Sequence, residues 1–593
     1  MPTAKIINSS ASILFCMAVF MYFCIVYPFH ISYQEHYQMF LYNFSYMKET
    51  VSYPGGVAGY LSAFLTQFFL FPTAGALIVA LLLGALQGLV WNTAKKLGAS
   101  GLYYPLSFVP SLIYWSLMGD ENYLPVGIVA PVLSLLCFYV YSRLNNDKCR
   151  LVSFLIITPL LFLADGVSFL LFSVISAIFE YTKVDKASET RLQTRQLVML
   201  CLAWTFICFL FIPLILRNTG LMYPKSLLYF GVPFYRFPLL GISYPVFVYL
   251  FSLLLVPVLS AAVSSRFSTQ KILLHSALYL IVAVSGGWLV HDMTNKEKEE
   301  VMAYDYYTYN RNWKKVLEMA DKKSPDSPLT VACLNLALCK QGLMADRMFN
   351  FYQNGTEGLL PSYTKDFTAP LVAAEIYYHI GFVNTAQRFT FEAMESIPNY
   401  NKSARVIKRL AETNIINGEY DVARKYLNLL SNTLFYKDWA AQALAAIEDE
   451  SLIAQNEEWS YLRKYRTKKD FLFSEQELDM MLGFVFSQDE TNRMAYEYLM
   501  AVCLLKKDLP SFVKYYPLGK KIGYNHIPIS YQEALVYAWG LSHKDMKGIP
   551  YPISSAVMNN VNAYGRTYTS VQNAEPLLRK QFSGTYWYYL HYR

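Results

Sequence analysis

The sequence predicts an all-α protein: a polytopic membrane domain of about nine spans, followed by a soluble array of helical repeats. Three observations carry that expectation. The 593 residues are 54% hydrophobic and 16% charged, against roughly 25% charged in an average soluble chain. Charge is unevenly spread, with 16 Lys/Arg and 10 Asp/Glu in residues 1–292 and 35 and 33 in the remainder. Apolar runs of span length occur before residue 293, and paired amphipathic patterns follow it. The expected domains are therefore 1–292 and 293–593.

The net charge of +8 does not point to nucleic acid, because six of those charges lie in the membrane half and no basic tract of that type occurs. Nine cysteines are scattered without CxxC or zinc spacing. A small apolar packing role fits them better than a disulfide scaffold or a zinc site.

The first apolar run, 11–29, is close to the about 20 residues needed to cross a bilayer. No small-x-small cleavage site follows it, so it reads as an uncleaved span rather than a signal peptide. Further spans are expected at 74–94, 102–118, 124–142, 151–164, 167–181, 196–216, 245–263 and 272–291. The fifth and sixth are short and meet at Asp165-Gly166, which predicts a tight turn, with one broken helix or a re-entrant pair as the alternative. Loop charge orients the chain. With the N-terminus inside, the inner loops hold twelve Lys/Arg and the outer loops hold Lys48, Arg217, Lys225 and Arg236. Nine spans then leave residues 293–593 outside, which for the inner membrane of a Gram-negative cell is the periplasm.

This orientation gathers the unusual residues at one face. Glu35 and His36 follow the first span, Asp120 and Glu121 lie between the third and fourth, and Asp165 lies between the fifth and sixth. The loop 217–244 adds Arg217, Lys225 and Arg236. Carboxylates near a membrane are costly unless paired or solvated, so they often mark function; for any one of them a solvated loop position is the plainer alternative. The turn Pro54-Gly55-Gly56 opens a segment, 57–71, that is apolar but carries Tyr60, Ser62, Thr66 and Gln67. A helix lying at the interface is expected there rather than a span.

Beyond residue 300 the units are helix, Gly- or Asp-containing turn, helix, with a period of roughly the mid-thirties. Gly418-Glu419-Tyr420 with Ala423 and Tyr426, and Gly381 with Ala386 and Phe389, are the clearest copies. They resemble tetratricopeptide repeats. Stacked pairs of this kind bury each other's apolar faces and form a concave surface, which would take a protein partner. No GxSxG, HExxH, phosphate-loop or Rossmann pattern occurs. His379, His526, His543 and His591 are isolated and read as structural. Residues 550–593, ending in FSGTYWYYLHYR, are expected to form a C-terminal cap that docks on the repeats or contacts headgroups.

Glu35 just after the first span, then the Pro-Gly-Gly turn and an aromatic helix, resembles the first outer loop of the GT-C membrane glycosyltransferases. The resemblance implies transfer of a sugar from a polyprenyl-phosphate donor. It makes Glu35 the catalytic base or acceptor-binding acid and Asp120 or Glu121 a supporting acid. Arg217, Lys225 or Arg236 would hold the lipid phosphate, with His36 and Asp165 completing the substrate contacts. Metal dependence, on a divalent ion for example, is left open. This chain has Glu35-His36 where that family usually has Asp and often two acids. The whole chain also resembles uncharacterised multispanning proteins of Bacteroidota, in its Gln-Glu pair, its Pro-Gly-Gly-x-x-x-Tyr-Leu and its helical C-terminal half; that resemblance assigns no activity. The alternative expectation is a non-catalytic scaffold for envelope or polysaccharide assembly. A transporter fits less well, with no mid-span charge and no inverted repeat.

Overall fold

The computed structural model describes residues 2–182, 190–218, 225–237, 243–264, 271–364, 366–398, 401–467, 473–543, 546 and 548–593. Lys183, Lys186 and Arg266, three of the expected inner-loop charges, lie outside the described residues. So do the side chains of Lys5, Arg191, Arg195, Lys225 and Lys271. The described chain is helical throughout, apart from one isolated bridge between Tyr123 and Tyr235. It divides into two compact units, Met1–Glu299 with two short insertions (Pro398–Ser403 and Asn432–Leu434), and the remainder from Glu300 to Arg593.

Six helical stretches of the first unit are long and apolar enough to cross a membrane: Ile6–Val26, Pro72–Lys96, Asp147–Thr182, Gln196–Asn218, Tyr244–Ser264 and Leu273–Asp292. The other expected spans are built differently. Residues 101–117 form a 3-10 stretch, Gly101–Phe108 with Pro105 inside it, and then the short helix Val109–Leu117. Proline cannot donate the hydrogen bond that a continuous helix needs. Val126–Tyr141 is 16 residues long.

Asp147–Thr182 holds two of the expected spans. A straight helix would separate residues 150 and 180 by about 45 Å at 1.5 Å per residue. Instead Arg150 Nε donates to Glu180 Oε1 at 2.7 Å, and Tyr141 Oη donates to the same oxygen at 3.0 Å. The stretch therefore folds back on itself around the 3-10 turn Gly166–Ser168. Along its first arm Val152, Ile156, Leu160 and Leu163 are exposed while Phe154, Thr158, Leu161 and Phe162 are buried. Apolar side chains facing outward at helical spacing are stable against lipid, not water.

Some polar groups within this unit are paired inward. Gln87 accepts from Ser12 Oγ and donates to Ser107 Oγ, each at 2.8 Å, and Ser12 also bonds Tyr104 Oη at 2.6 Å. Such bonds join helices where no water competes. The helix Pro2–Met21 packs on Pro72–Lys96, where a Cβ on Gly84 would lie 2.4 Å from Cys16 Sγ. The helix Gly56–Thr66 turns Ala58, Ser62 and Thr66 inward, on the i, i+4, i+8 face, against Val126–Tyr141 and Asp147–Asp165.

In the second unit helices pair sequentially, Thr368–Ile380 with Val383–Glu395 and Ala404–Asn417 with Tyr420–Leu430. Gly381 and Gly418 link them at φ of 106° and 84°, a region that glycine enters freely. Ala386 and Ala423 are fully buried where the second helix of each pair meets the first. The buried charges along Ala404–Asn417 are matched: Arg405 is bidentate to Asp305 at 2.6 and 2.8 Å, and Arg409 bridges Glu375 and Glu412. The C-terminal helix Tyr586–Tyr592 packs on Ile529–Ser542, with Trp587 Nε1 donating to the Glu533 carbonyl at 2.9 Å. All nine cysteines are free.

Candidate functional site

The first span ends in a π-turn, Tyr22–Val26, and Pro28 starts a new helix, Pro28–His36, in which every residue from His30 onward is buried. Its N-terminus carries a carboxylate. Glu299 accepts from the backbone N–H groups of Phe29 at 2.8 Å and His30 at 3.1 Å. An anion there satisfies the free amide donors and meets the positive end of the helix dipole. The same carboxylate lies 2.5 Å from His30 Nδ1. The imidazole stacks on Tyr27 at 4.0 Å, and its other nitrogen is 3.7 Å from Glu121. Glu121 in turn pairs with Lys298.

The loop Asp120–Tyr123 is locked locally and from across the unit. Asn122 donates from its backbone and its side chain to Asp120 Oδ1, at 2.9 and 2.8 Å. The segment 234–236 runs alongside it. Leu124 N–H donates to the Phe234 carbonyl, Arg236 N–H donates to the Asn122 carbonyl, and Tyr235 Oη donates to Asp120 Oδ2 at 3.1 Å. Gln34 reaches the same loop through the Tyr123 carbonyl at 3.1 Å.

Arg236 is the most unusual group in this cluster. Its guanidinium is buried, stacks 3.8 Å above the Tyr37 ring and donates to the Glu121 carbonyl at 3.3 Å. Among the described residues no carboxylate forms an ion pair with it. Burial pushes its pKa down to about 10, opposed by Tyr37 and then by Glu121 and Asp120. It therefore keeps its charge at neutral pH. Among the described residues its Nε has no hydrogen-bond partner, and neither do Gln34 Oε1 or Asn122 Oδ1 in the same cluster. Buried polar atoms are normally satisfied, so three orphans contributed by three segments need a reason.

The structure brings some of the expected residues together and separates others. Asp120, Glu121 and Arg236 share one cluster. Glu35 and His36 sit in the helix that enters it, both buried, with Glu35 Oε2 3.0 Å from His36 Nδ1. Asp165 has a different setting. It is fully buried, accepts from Ser134 Oγ at 2.5 Å, and among the described residues its other oxygen has no hydrogen-bond partner. It lies at the hairpin turn, where Gly166 meets Gly231, which in turn meets Pro54. Arg217 is exposed in the last turn of Thr190–Asn218, and among the described residues it makes no hydrogen bond or ion pair with the cluster. Lys225 begins the helix Lys225–Phe230, and its side chain lies outside the described residues. Among the described residues no three His, Cys, Asp or Glu side chains are arranged to hold a metal ion.

Sequence reasoning missed Tyr27, Lys298 and Glu299. The two charged residues stand in the run that follows the last span. A domain line drawn at 292 assigns them to the soluble half, whereas residues 293–299 fold with the first unit. Against known proteins, the chain belongs to a family of unknown function (DUF6057), whose family model matches residues 3–593. No curated protein and no solved structure matches it.

Proposed function

We propose that this family member is a GT-C-like transferase that takes a sugar from a lipid-phosphate carrier at the outer face of the inner membrane. The observation that supports this most is Arg236, a buried cation with no paired anion among the described residues. A buried charge is tolerable when something neutralises it, and a guanidinium with an open donor edge suits a phosphate oxygen. Glu35, oriented by His36, is the base. It takes the proton of an acceptor hydroxyl as that oxygen bonds to the anomeric carbon. The bond from that carbon to the phosphate oxygen breaks, and the lipid phosphate leaves with the electron pair, its charge held by Arg236. Asp120 and Glu121 position Arg236 through Tyr235 and the backbone of Asn122 and Glu121. In this reading the N-terminus is cytoplasmic, and the second unit is a periplasmic TPR-like solenoid that a protein partner can engage.

The test compares Glu35→Gln and Glu35→Ala in cells, scoring lipid-linked sugars and envelope glycans. Loss of a general base costs about a hundredfold or more in rate. Both variants should accumulate the lipid-linked donor, and the Gln variant should do so at normal protein level. Unchanged profiles with normal protein levels contradict the reading.

A further inference from the structure

The second unit carries a pocket that the chemistry of the first does not use. The helix Lys296–Tyr309 ends there, and the chain turns at Arg311 with φ of 56°, a left-handed conformation uncommon outside glycine. That turn aims the Arg311 guanidinium at Glu458, to which it is bidentate at 2.7 Å through both Nε and Nη2. Backbone held in such a region is more frequent at ligand sites than elsewhere. Lys408 and Glu412, one helical turn apart on Ala404–Asn417, form a second wall. Trp439, near the start of Lys437–Glu448, and Trp459, in the first turn of Glu457–Tyr465, form the third. With Tyr309 these residues enclose about 340 Å³, within the roughly 300–1,000 Å³ of small-molecule sites.

Two properties define what fits. The first is the ammonium of Lys408, which lies over Trp439 at 4.8 Å and Tyr309 at 5.9 Å and has no hydrogen-bond acceptor among the described residues. It offers donors to a ligand. The second is charge balance. Arg311 is spent on Glu458, Arg409 is shared by Glu375 and Glu412, Arg405 pairs with Asp305 and lies 4.0 Å from Glu375, and Lys408 makes the fourth cation against those four carboxylates. A phosphate or carboxylate ligand would meet one uncommitted cation beside the carboxylates of Glu412 and Glu458. A neutral ligand meets no such penalty.

We infer that this pocket is a carbohydrate-binding site for a neutral pyranose unit of an oligosaccharide. Such a sugar has a face of weakly positive C–H groups, which packs on the electron-rich face of an indole or phenol ring. Its rim carries hydroxyls, which accept from Lys408 and donate to Glu412. The ligand class follows from the pocket alone and does not depend on the reaction assigned to Glu35.

The test uses the full chain in lipid nanodiscs, titrated with maltotetraose, mannotetraose and chitotetraose, with tetragalacturonic acid and a peptide bearing a free carboxylate for comparison. Saturation-transfer NMR and tryptophan fluorescence report binding. At least one neutral oligosaccharide should bind. Trp439→Ala and Lys408→Met should each weaken it by about tenfold or more, and Glu35→Gln should leave it unchanged. Lys408→Met keeps an apolar stem over the two rings, so a fold-preserving variant remains if Trp439→Ala lowers the melting temperature. Binding of none of the neutral sugars, binding confined to the acidic sugar or the peptide, or neutral binding that survives both substitutions overturns the inference.

Discussion

Gly231 has no room for a methyl group. Its φ is 77°, and a Cβ there would lie 2.5 Å from Gly166 Cα and 3.1 Å from the Pro54 carbonyl. Gly55, at φ 75°, would press a Cβ onto Val232 at 2.5 Å. Three loops thus meet backbone to backbone beneath the segment that delivers Arg236. Gly231→Ala should lower apparent stability by at least about 2 kcal/mol, from backbone strain and overpacking together. Gly98→Ala is the control, because Gly98 shares the positive φ but has open space around it; it should cost about 1 kcal/mol. Thermal unfolding of both in nanodiscs checks the difference, and equal losses would deny the three-loop junction. The Pro-Gly-Gly turn was legible in the sequence as a turn into a helix. Its partners were not, because glycines at 166 and 231 gain meaning only when the fold brings them together.

A buried carboxylate meets the first turn of the C-terminal helix Tyr586–Tyr592. Glu533 accepts from Tyr586 N–H at 2.7 Å. Burial raises its pKa from an ordinary 4.5 to about 8, only partly opposed by that hydrogen bond. The folded state therefore binds a proton that the unfolded state has released. Its contribution is fully present below about pH 4.5 and is lost as pH rises through about 8. The loss is about 5 kcal/mol. Hydrogen exchange across Tyr586–Tyr592 should quicken between pH 5 and pH 8.5, after correction for intrinsic rates. Glu533→Gln should flatten that dependence and be the more protected form at pH 8.5; a wild-type profile flat across this range would contradict the argument. Docking of the tail was foreseeable from its aromatic density, whereas Glu533 was not, since nothing local marks a carboxylate on an otherwise apolar face. The helix pairs at Gly381 and Gly418 were readable because their turns, small residues and apolar spacing are local. The expected span at 102–118 is built as a 3-10 stretch followed by a short helix, a detail that hydropathy does not register because it counts apolar residues and overlooks what Pro105 does to the helix.

At the scale of the molecule, the composition break near residue 293 was plain, but the first unit continues to Glu299. Seven residues decide whether Lys298 and Glu299 belong to the cluster around His30 and Glu121, and composition cannot place so fine a line. The cluster's membership was partly legible, because the loop-charge bias put Glu35, Asp120, Glu121 and Arg236 at one face; its pairings required the fold. The account rests on Arg236 as the receptor for a lipid phosphate. The direct test is binding of farnesyl phosphate, against farnesol, to the full chain in nanodiscs. Charge-assisted hydrogen bonds from Arg236 predict that Arg236→Met weakens farnesyl phosphate binding by about tenfold to a hundredfold. Arg236→Lys should fall between, since it keeps the charge and loses the planar fork, and Glu35→Gln should bind as the wild type does. Equal affinity of wild type and Arg236→Met at matched melting temperatures, or farnesol bound as tightly as its phosphate, would contradict the account.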